Sequence, residues 1–312
     1  MTERLLRGRF RAVGTTCSAA VTARAGDALR AGRALAAARA EVEACEAALS
    51  RFRAESDLSR LNAARGEWLS VDRRLVEALR LALWAREETD GRFDPTVLPA
   101  LVAAGYDRSF EQIEIRAPRR AHGWRAGARI EVQEGRARVE RGAAVDLGGI
   151  GKGYAATRAL HAMEDAWPGL PGGLVDLGGD LALAGSTPEG GPWQIAIADP
   201  RRPGTTAGLL LLQGGGVATS GRDVRRFGPG GSLHHLIDPA TGEPALPGPL
   251  AVTVVARTAA EAEAHATALA ISAREDAAKH VAAHPNLSAL FIPADGEPVA
   301  LGPLPLAERR AA

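Results

Sequence analysis

The stretch VDLGGIGKGYAATR, from Val145 to Arg158, constrains the fold of this chain more than any other. It begins with the end of a predicted apolar strand, continues with four glycines within six residues, and predicts a helix from Tyr154 to Met163. A strand that leads through a glycine-rich turn into a helix N-terminus suits phosphate, because free N–H groups and the helix dipole favour an anion. Lys152 lies inside this turn, where its ammonium group would meet the anion. The pattern matches neither GxGxxG nor the P-loop, and a purely structural turn is the alternative.

The charge balance and the cysteine content exclude several classes of protein. The 312 residues carry 38 basic and 37 acidic side chains, so the composition predicts no bulk attraction to nucleic acid or to a membrane surface. No segment approaches the ~18 consecutive apolar residues of a membrane span, and the N-terminus lacks the apolar run of a signal peptide. Cys17 and Cys45 are too few for a disulfide framework. These features predict a cytoplasmic protein without a membrane anchor.

Hydrophobic periodicity predicts a mixture of helices and strands. Helices are expected from Asp27 to Phe52, from Asp72 to about Glu88 and from Thr258 to Ser272. Predicted strands are 10–23, 113–115, 128–132, 137–140, 143–147 and the runs DLALAG, WQIAIADP, AGLLLLQ, GGVATSG and AVTVVA. Most strands follow strands, and no linker-like composition divides the chain. We therefore predict one α+β domain over residues 1–312, with mainly antiparallel sheets flanked by helices.

Acidic and hydroxyl side chains recur beside predicted tight turns. The motif VDLGG begins at both Val145 and Val175, which suggests two similar corners side by side. The polar residues at the turns are Asp94, Thr96, Asp146, Asp180, Thr219, Ser220, Asp238 and Thr241. Oxygen ligands suit Mg²⁺, glycine and helix N–H groups suit a pyrophosphate, and His235 beside one turn suits proton transfer. The set indicates metal-assisted chemistry on a phosphate ester, and no Cys/His spacing indicates zinc.

Nine segments, taken in order, match the pattern of a known family. They are VGTT, SRFRAESDLSRLN, TDGRFDPTVLPAL, VDLGGIGKGYAATR, VDLGGDLALAG, WQIAIADP, GVATSG, HHLIDPATGEP and the VTVVA-to-ATALAI segment, from about residue 10 to 272. In these segments the chain resembles the ApbE family, the FAD:protein FMN transferases. The resemblance implies a single ApbE-like, T-fold-like domain that binds FAD and Mg²⁺ and splits the pyrophosphate of FAD. The FMN half would pass to a Thr or Ser hydroxyl of an acceptor protein, and AMP would leave.

The resemblance also implies which residues bind FAD. They are Val13 (through its backbone), Phe52, Asp94, Pro95, Thr96, Asp146, Lys152 and His235. Val13 and Phe52 would flank the flavin, Lys152 would lie near the phosphates, and His235, in the family's H-x-I-D-P motif, would be the catalytic base. Core packing is the alternative for Phe52, and an Asx turn is the alternative for Asp94. The neighbouring His234 is expected at the surface.

The implied metal site contains one departure from the family. The Gly149 carbonyl, Glu263 and Thr267 would hold the ion, and Glu263 and Thr267, four residues apart, share one helical face. The family usually has Asp at the position of Glu263, Asp at Thr157, Ala at Gly151 and Leu at His265. The longer carboxylate matters because Mg²⁺ demands near-ideal octahedral geometry. Two alternatives to a transferase follow, an FAD pyrophosphatase that releases FMN and AMP, and a non-catalytic FAD-binding protein.

Overall fold

The structure, a computed structural model, describes residues 3–108, 112–113, 119, 121–222, 226–227, 233–245 and 248–307. Seven α-helices lie in these ranges: α1 (Ala28–Leu49), α2 (Asp57–Ala63), α3 (Arg73–Glu88), α4 (Leu98–Ala104), α5 (Gly151–Ala166), α6 (Ala259–Ala270) and α7 (Arg274–Ala283). The strands are β1 (Arg4–Ala12), β2 (Thr15–Ala23), β3 (Leu69–Ser70), β4 (Ile130–Gln133), β5 (Arg136–Val139), β6 (Gly172–Leu177), β7 (Leu181–Gly185), β8 (Trp193–Ala198), β9 (Thr206–Leu212), β10 (Gly214–Gly221), β11 (Arg226–Phe227), β12 (Leu233–His234), β13 (Ile237–Asp238), β14 (Glu243–Pro244), β15 (Ala251–Ala256), β16 (Ser288–Ile292) and β17 (Val299–Leu301). Most of the predicted strand at 113–115 falls outside the described residues.

An eight-stranded sheet organises the molecule, in the order β1-β2-β6-β7-β10-β15-β16-β17. Every strand pair within the described ranges is antiparallel. The predicted α+β class, with mainly antiparallel sheets flanked by helices, is therefore confirmed. The single-domain organisation stays a prediction.

Successive side chains of a strand point to opposite faces of the sheet, so each strand contributes to an apolar core on both faces. Val175 and Leu177 of β6 join the apolar cluster formed with α1 and α5, whereas Leu174 packs with the β8–β9 hairpin on the opposite face. In β1, Phe10 packs on the helical side and Leu5 on the hairpin side. In these strands, alternate residues thus pack against the helices and against the β8–β9 hairpin.

The segment 143–147, which leads into the glycine turn, differs from the prediction because it is not a strand. The amide of Asn62 takes the place of a neighbouring strand: its Oδ1 accepts from the Val145 N–H at 2.8 Å, and its Nδ2 donates to the Val145 carbonyl at 2.9 Å. The N–H of Asp146 donates to the Pro95 carbonyl at 2.8 Å. The backbone is satisfied without a ladder, so the two VDLGG motifs differ, and only the second lies on a strand.

Helix boundaries follow local chemistry closely. Helix α1 ends at Leu49, so Phe52 lies beyond it, and α3 begins after Asp72, whose side chain accepts from the Arg74 N–H. Helix α4 was not predicted, although Pro99 stands near its start, where proline is tolerated. Within the described ranges, no helix is long and apolar enough to cross a membrane. A cytoplasmic location stays a prediction.

Candidate active site

A cavity of about 1040 Å³ opens where the β1–β2 turn, the end of α1, the glycine turn before α5, and α6 meet. Nine predicted site residues line it: Val13, Phe52, Asp94, Asp146, Gly149, Lys152, His235, Glu263 and Thr267. Pro95 and Thr96 do not, and both are buried behind the wall. The structure therefore brings together side chains that are up to 254 residues apart in sequence (Val13 to Thr267).

Asp94 explains the position of its two neighbours. Its Oδ1 accepts from the N–H and the hydroxyl of Thr96, at 2.8 and 2.7 Å, and its Oδ2 accepts from the Gly127 N–H at 2.6 Å. The carboxylate caps the 3₁₀ turn Pro95–Val97, as the Asx-turn alternative predicts. Pro95 and Thr96 thus support the wall from behind, and only Asp94 reaches the cavity.

The turn between β1 and β2 presents backbone to the cavity in an unusual conformation. Val13 has φ of 46° and Gly14 has φ of 69°, which joins the strands in a two-residue loop of positive φ. A β-branched residue is rare there, and such strain typically costs on the order of 1–3 kcal/mol. Strained residues cluster at ligand sites, which agrees with the predicted backbone role of Val13.

A buried trio of charged side chains lies at the start of α5. The Lys152 ammonium group pairs with Asp180 Oδ2 and with Glu263 Oε1, the latter at 2.6 Å. Both acidic side chains are 4% exposed, and that of Lys152 is 20% exposed. Burial disfavours the charged lysine, but Asp180 and Glu263 outweigh burial and raise its pKa above the ordinary value. Burial also raises the pKa of Glu263, and Asp180 adds to this while Lys152 opposes it.

The helix N-terminus does attract an anion, and this anion belongs to the chain itself. The second oxygen of Glu263 accepts from the Gly153 N–H at 2.7 Å. A side chain at position 153 would overlap the Ala259 carbonyl oxygen, so glycine permits the close approach of α5 to α6. The predicted anion site at this helix start is therefore shared with a carboxylate from α6.

The expected metal ligands meet where the glycine turn approaches α6. The Thr267 hydroxyl donates to the Gly149 carbonyl at 3.3 Å, and Glu263 lies one helical turn earlier. Thr267 Oγ1 is also 3.4 Å from the Ser220 hydroxyl. A carbonyl, a hydroxyl and a carboxylate form an oxygen donor set that suits a hard cation. Each carboxylate oxygen has a second lone pair besides its bond to Lys152 or Gly153, so these residues fit a divalent ion.

An arginine that the sequence analysis did not single out forms one wall of the cavity. Arg51 Nε lies 2.6 Å from Asp146 Oδ2, with the two side chains 8% and 11% exposed. Its guanidinium group lies against both the Phe52 and the Tyr106 rings, 4.1 and 4.8 Å from their centroids, and the two rings contact each other edge to face. Phe52 is 47% exposed, which excludes core packing for its side chain. Arg51 adjoins the predicted Phe52 in the sequence, but its ionic partner Asp146 lies far along the chain, so no local signal marked this ion pair.

The two adjacent histidines lie in different environments. His235 lines the cavity, half-buried, with its ring centroid 6.3 Å from that of Tyr106. His234 is buried, contrary to its expected surface position, because its Nε2 bonds the Ala245 carbonyl at 2.9 Å. Of the two histidines, only His235 is positioned to meet a ligand.

His265 belongs to a separate buried cluster. Its Nδ1 is 2.9 Å from His280 Nε2, and the His284 ring stacks at 4.2 Å from that of His280. Burial, with the neighbouring imidazoles, lowers the pKa of His265 to about 3 and that of His280 to about 4. Both side chains are therefore neutral in the folded protein at neutral pH.

This cluster predicts acid sensitivity. A histidine with a lowered folded-state pKa stabilises the fold above its unfolded pKa of about 6.5, and this stability is lost as the pH falls towards the folded value. Each group contributes at most about 1.4 kcal/mol per pH unit, and about half of this near pH 6.5, so His265 and His280 together should lower the free energy of unfolding by roughly 3 kcal/mol between pH 6.5 and 5. Urea unfolding at both pH values measures this, and His265→Leu should reduce the difference. An equal pH dependence in the variant would contradict the assignment.

Comparison with known proteins gives consistent matches along the chain. The ApbE family model matches residues 13–291. The FAD:protein FMN transferase of Klebsiella pneumoniae (strain 342) is 30% identical over 269 residues, which cover 83% of this chain and 76% of that protein. The FAD:protein FMN transferase of Treponema pallidum (strain Nichols) is 32% identical over 276 residues, with 79% and 73% covered. The crystal structure of an ApbE protein from Thermotoga maritima superposes with a TM-score of 0.85, at 29% identity, and covers 95% of this chain and 96% of that one.

Proposed function

Because the chain belongs to the ApbE family, we propose that it is an FAD:protein FMN transferase. The observation that best supports this function is that one cavity is lined by the glycine turn, Lys152, Asp146 and His235. The cavity volume of about 1040 Å³ is at the upper end of the range for small-molecule sites, as a dinucleotide requires. An acceptor protein with a Thr or Ser flavinylation site is the second substrate.

The proposed reaction is a phosphoryl-type transfer from FAD to the acceptor hydroxyl. The acceptor oxygen attacks the phosphorus of the FMN half, and the bond from that phosphorus to the bridging oxygen breaks. AMP leaves with that oxygen, and His235 takes the proton of the acceptor hydroxyl. Phe52, with its ring held against Arg51, would bind the flavin, and Lys152 supplies positive charge beside the pyrophosphate.

A divalent cation, Mg²⁺ in our proposal, would be held by the Gly149 carbonyl, Glu263 and Thr267. When bound, it would neutralise charge on the pyrophosphate oxygens. Its support is the oxygen donor set and the 3.3 Å separation of Gly149 O and Thr267 Oγ1. Among the described residues, no group of three or more His, Cys, Asp and Glu side chains has metal-binding geometry. The proposed site draws only one ligand from these residue types.

Incubation with FAD, Mg²⁺ and a threonine-containing acceptor tests the function. We expect mass spectrometry to show FMN on the acceptor and chromatography to show an equal amount of AMP. Free FMN and AMP formed at the same rate without any acceptor would instead establish a pyrophosphatase. FAD binding without turnover with any divalent cation would establish a binding protein.

Shortening the carboxylate at position 263 should improve the metal site. We expect Glu263→Asp to remain active and to need less Mg²⁺, with an apparent affinity raised by roughly tenfold, the low end of the effects that ligand orientation has on metal binding. The reason is that Mg²⁺ tolerates little distortion, whereas the larger Mn²⁺ and Ca²⁺ tolerate more. Rates measured against the concentration of each ion test this. A lower Mg²⁺ affinity in Glu263→Asp would show that the ligand set is already optimal with glutamate.

A further inference from the structure

Strand β1 carries a row of exposed arginines. Arg7, Arg9 and Arg11 alternate along the strand, and all three are exposed. They lie at alternate positions from Leu5, so they share the sheet face of Leu5, which packs on the β8–β9 side. Within the described part of the chain, no ion pair involves any of the three. We call these residues the β1 arginine row.

The register of the sheet shows that no charge faces the row from the next strand. Arg7 lies opposite Ala20, Arg9 opposite Ser18, and Arg11 opposite Thr16. The nearest acid along this register is Asp176, which pairs with Ser18 from the far side of β2. Its Oδ1 accepts from the Gly179 N–H, and Asp176 lines the cavity. Positive charge is thus concentrated on β1, although the whole chain has a net charge of only +1.

The position of β1 makes the row accessible to an extended chain. β1 is an edge strand, with β2 on one side and no described strand on the other. The unpaired backbone groups of an edge strand can bind a further strand. The arginines disfavour a second copy of this strand, which would bring like charges together, and favour an acidic segment.

The row also points towards the candidate active site. It spans about 14 Å from Arg7 to Arg11 at the rise of a β-strand. Two residues beyond Arg11, the chain reaches Val13, which lines the cavity together with Gly14. An extended segment bound along the row would therefore bring its following residues to the cavity opening.

We propose that the β1 arginine row is the docking surface for the acceptor protein, and that it binds an extended segment with acidic side chains at alternate positions. This inference rests on the proposed function, because it assigns the row to the second substrate of the transferase. The alternate spacing follows from the geometry, since residues i, i+2 and i+4 of a strand share one face. The acidic positions would lie on one side of the modified hydroxyl, within a few residues of it.

Direct binding of synthetic peptides tests the surface independently of turnover. The probes are a dye-labelled 12-residue peptide with three Glu at alternate positions beside one Thr, and the same peptide with Gln in place of Glu. We expect wild-type protein at low ionic strength to bind the Glu peptide roughly tenfold more tightly, from three exposed ion pairs of modest strength. The preference should disappear near 1 M salt. Equal affinity for the two peptides would overturn the proposal.

A matched pair of variants locates the effect. Arg7→Gln/Arg9→Gln/Arg11→Gln should abolish the preference for the Glu peptide. The control variant is Arg33→Gln/Arg73→Gln/Arg80→Gln. These three arginines, on α1 and α3, are likewise exposed and form no ion pair among the described residues. The control has the same net charge and should bind like wild type. An equal loss of the preference for the Glu peptide in both variants would show a general charge effect. Tighter binding of a 12-nucleotide DNA strand than of the peptide would assign the row to nucleic acid. Either result would overturn the proposal.

Turnover then separates this inference from the proposed function. In the row variant, we expect the KM for the Glu peptide to rise roughly tenfold, with kcat and FAD affinity unchanged, because β1 contributes no arginine to the cavity wall. If wild-type protein transfers FMN to no peptide or protein, the proposed function fails, while the binding measurements still decide the row. If transfer occurs and the row variant has an unchanged KM, the docking assignment fails alone.

Discussion

Replacement of His235 by asparagine should lower the rate of FMN transfer by ~10²–10⁴ while leaving FAD affinity nearly unchanged. His235 lines the cavity beside Tyr106, and its imidazole is the proposed acceptor of the proton from the attacking hydroxyl. Asparagine keeps a polar side chain of similar size but cannot take up that proton at neutral pH. Single-turnover transfer at saturating FAD measures the rate, and a calorimetric titration with FAD measures the affinity.

His161 provides the control for this experiment, because it is an exposed histidine on α5 that does not line the cavity. His161→Asn should transfer FMN at the wild-type rate. A normal rate in His235→Asn would show that His235 is structural. Loss of FAD binding in that variant would assign His235 to substrate binding, and the base would then have to be another group.

The pattern of helices and strands was predictable where local periodicity determines it. The buried stripe of α1 at Val42 and Cys45 follows the helical spacing read from the sequence. The strand predicted at 143–147 was wrong for a reason that no local pattern contains. Asn62, 83 residues away, supplies both hydrogen bonds that a neighbouring strand would have supplied to Val145. Pairing over such distances is a property of the folded chain.

The sequence predicted which residues form the site but not which of them contact each other. The motifs indicated which residues surround the cavity, yet they did not show that Lys152 binds Glu263, 111 residues away, or that Arg51 binds Asp146. The sequence predicted a helix as far as Phe52, but α1 ends at Leu49, so the helical periodicity could not place Arg51 correctly. Charge partners of this kind depend on how α5, α6 and the β6–β7 corner pack, which the order of motifs does not specify.

Removal of the Lys152 ammonium group should have the largest effect on stability. We expect Lys152→Met to lower the free energy of unfolding by about 3–5 kcal/mol, the cost typical of leaving a buried charge without its partner. Lys152 bridges Asp180 and Glu263, whose side chains are both 4% exposed, so two carboxylates would face each other without a cation. Urea unfolding at pH 7 measures the loss. Unchanged stability would show that solvent already screens the trio.

A compensated variant tests whether charge, and not the lysine stem, carries this effect. Lys152→Met/Asp180→Asn/Glu263→Gln keeps the side-chain sizes and removes all three charges, and replacing a whole buried ion cluster is often nearly neutral. It should therefore recover most of the stability that Lys152→Met loses. Both variants should bind FAD more weakly than wild type, because neither keeps the lysine cation at the proposed phosphate site.

The stability of Lys152→Met relative to wild type, measured as a function of pH, distinguishes a loss of electrostatic stabilisation from a loss of packing. Burial and Asp180 raise the pKa of Glu263 in the folded protein, and Lys152 opposes them, together with the hydrogen bond from the Gly153 N–H. Without Lys152 that pKa rises further. A raised folded-state pKa stabilises the fold below the unfolded pKa of about 4.3, and this stability is lost as the pH rises through the folded value. The deficit relative to wild type should therefore be smaller at pH 5 than at pH 8. A deficit that is constant with pH would mean that lost packing of the lysine stem, and not charge, destabilises the variant.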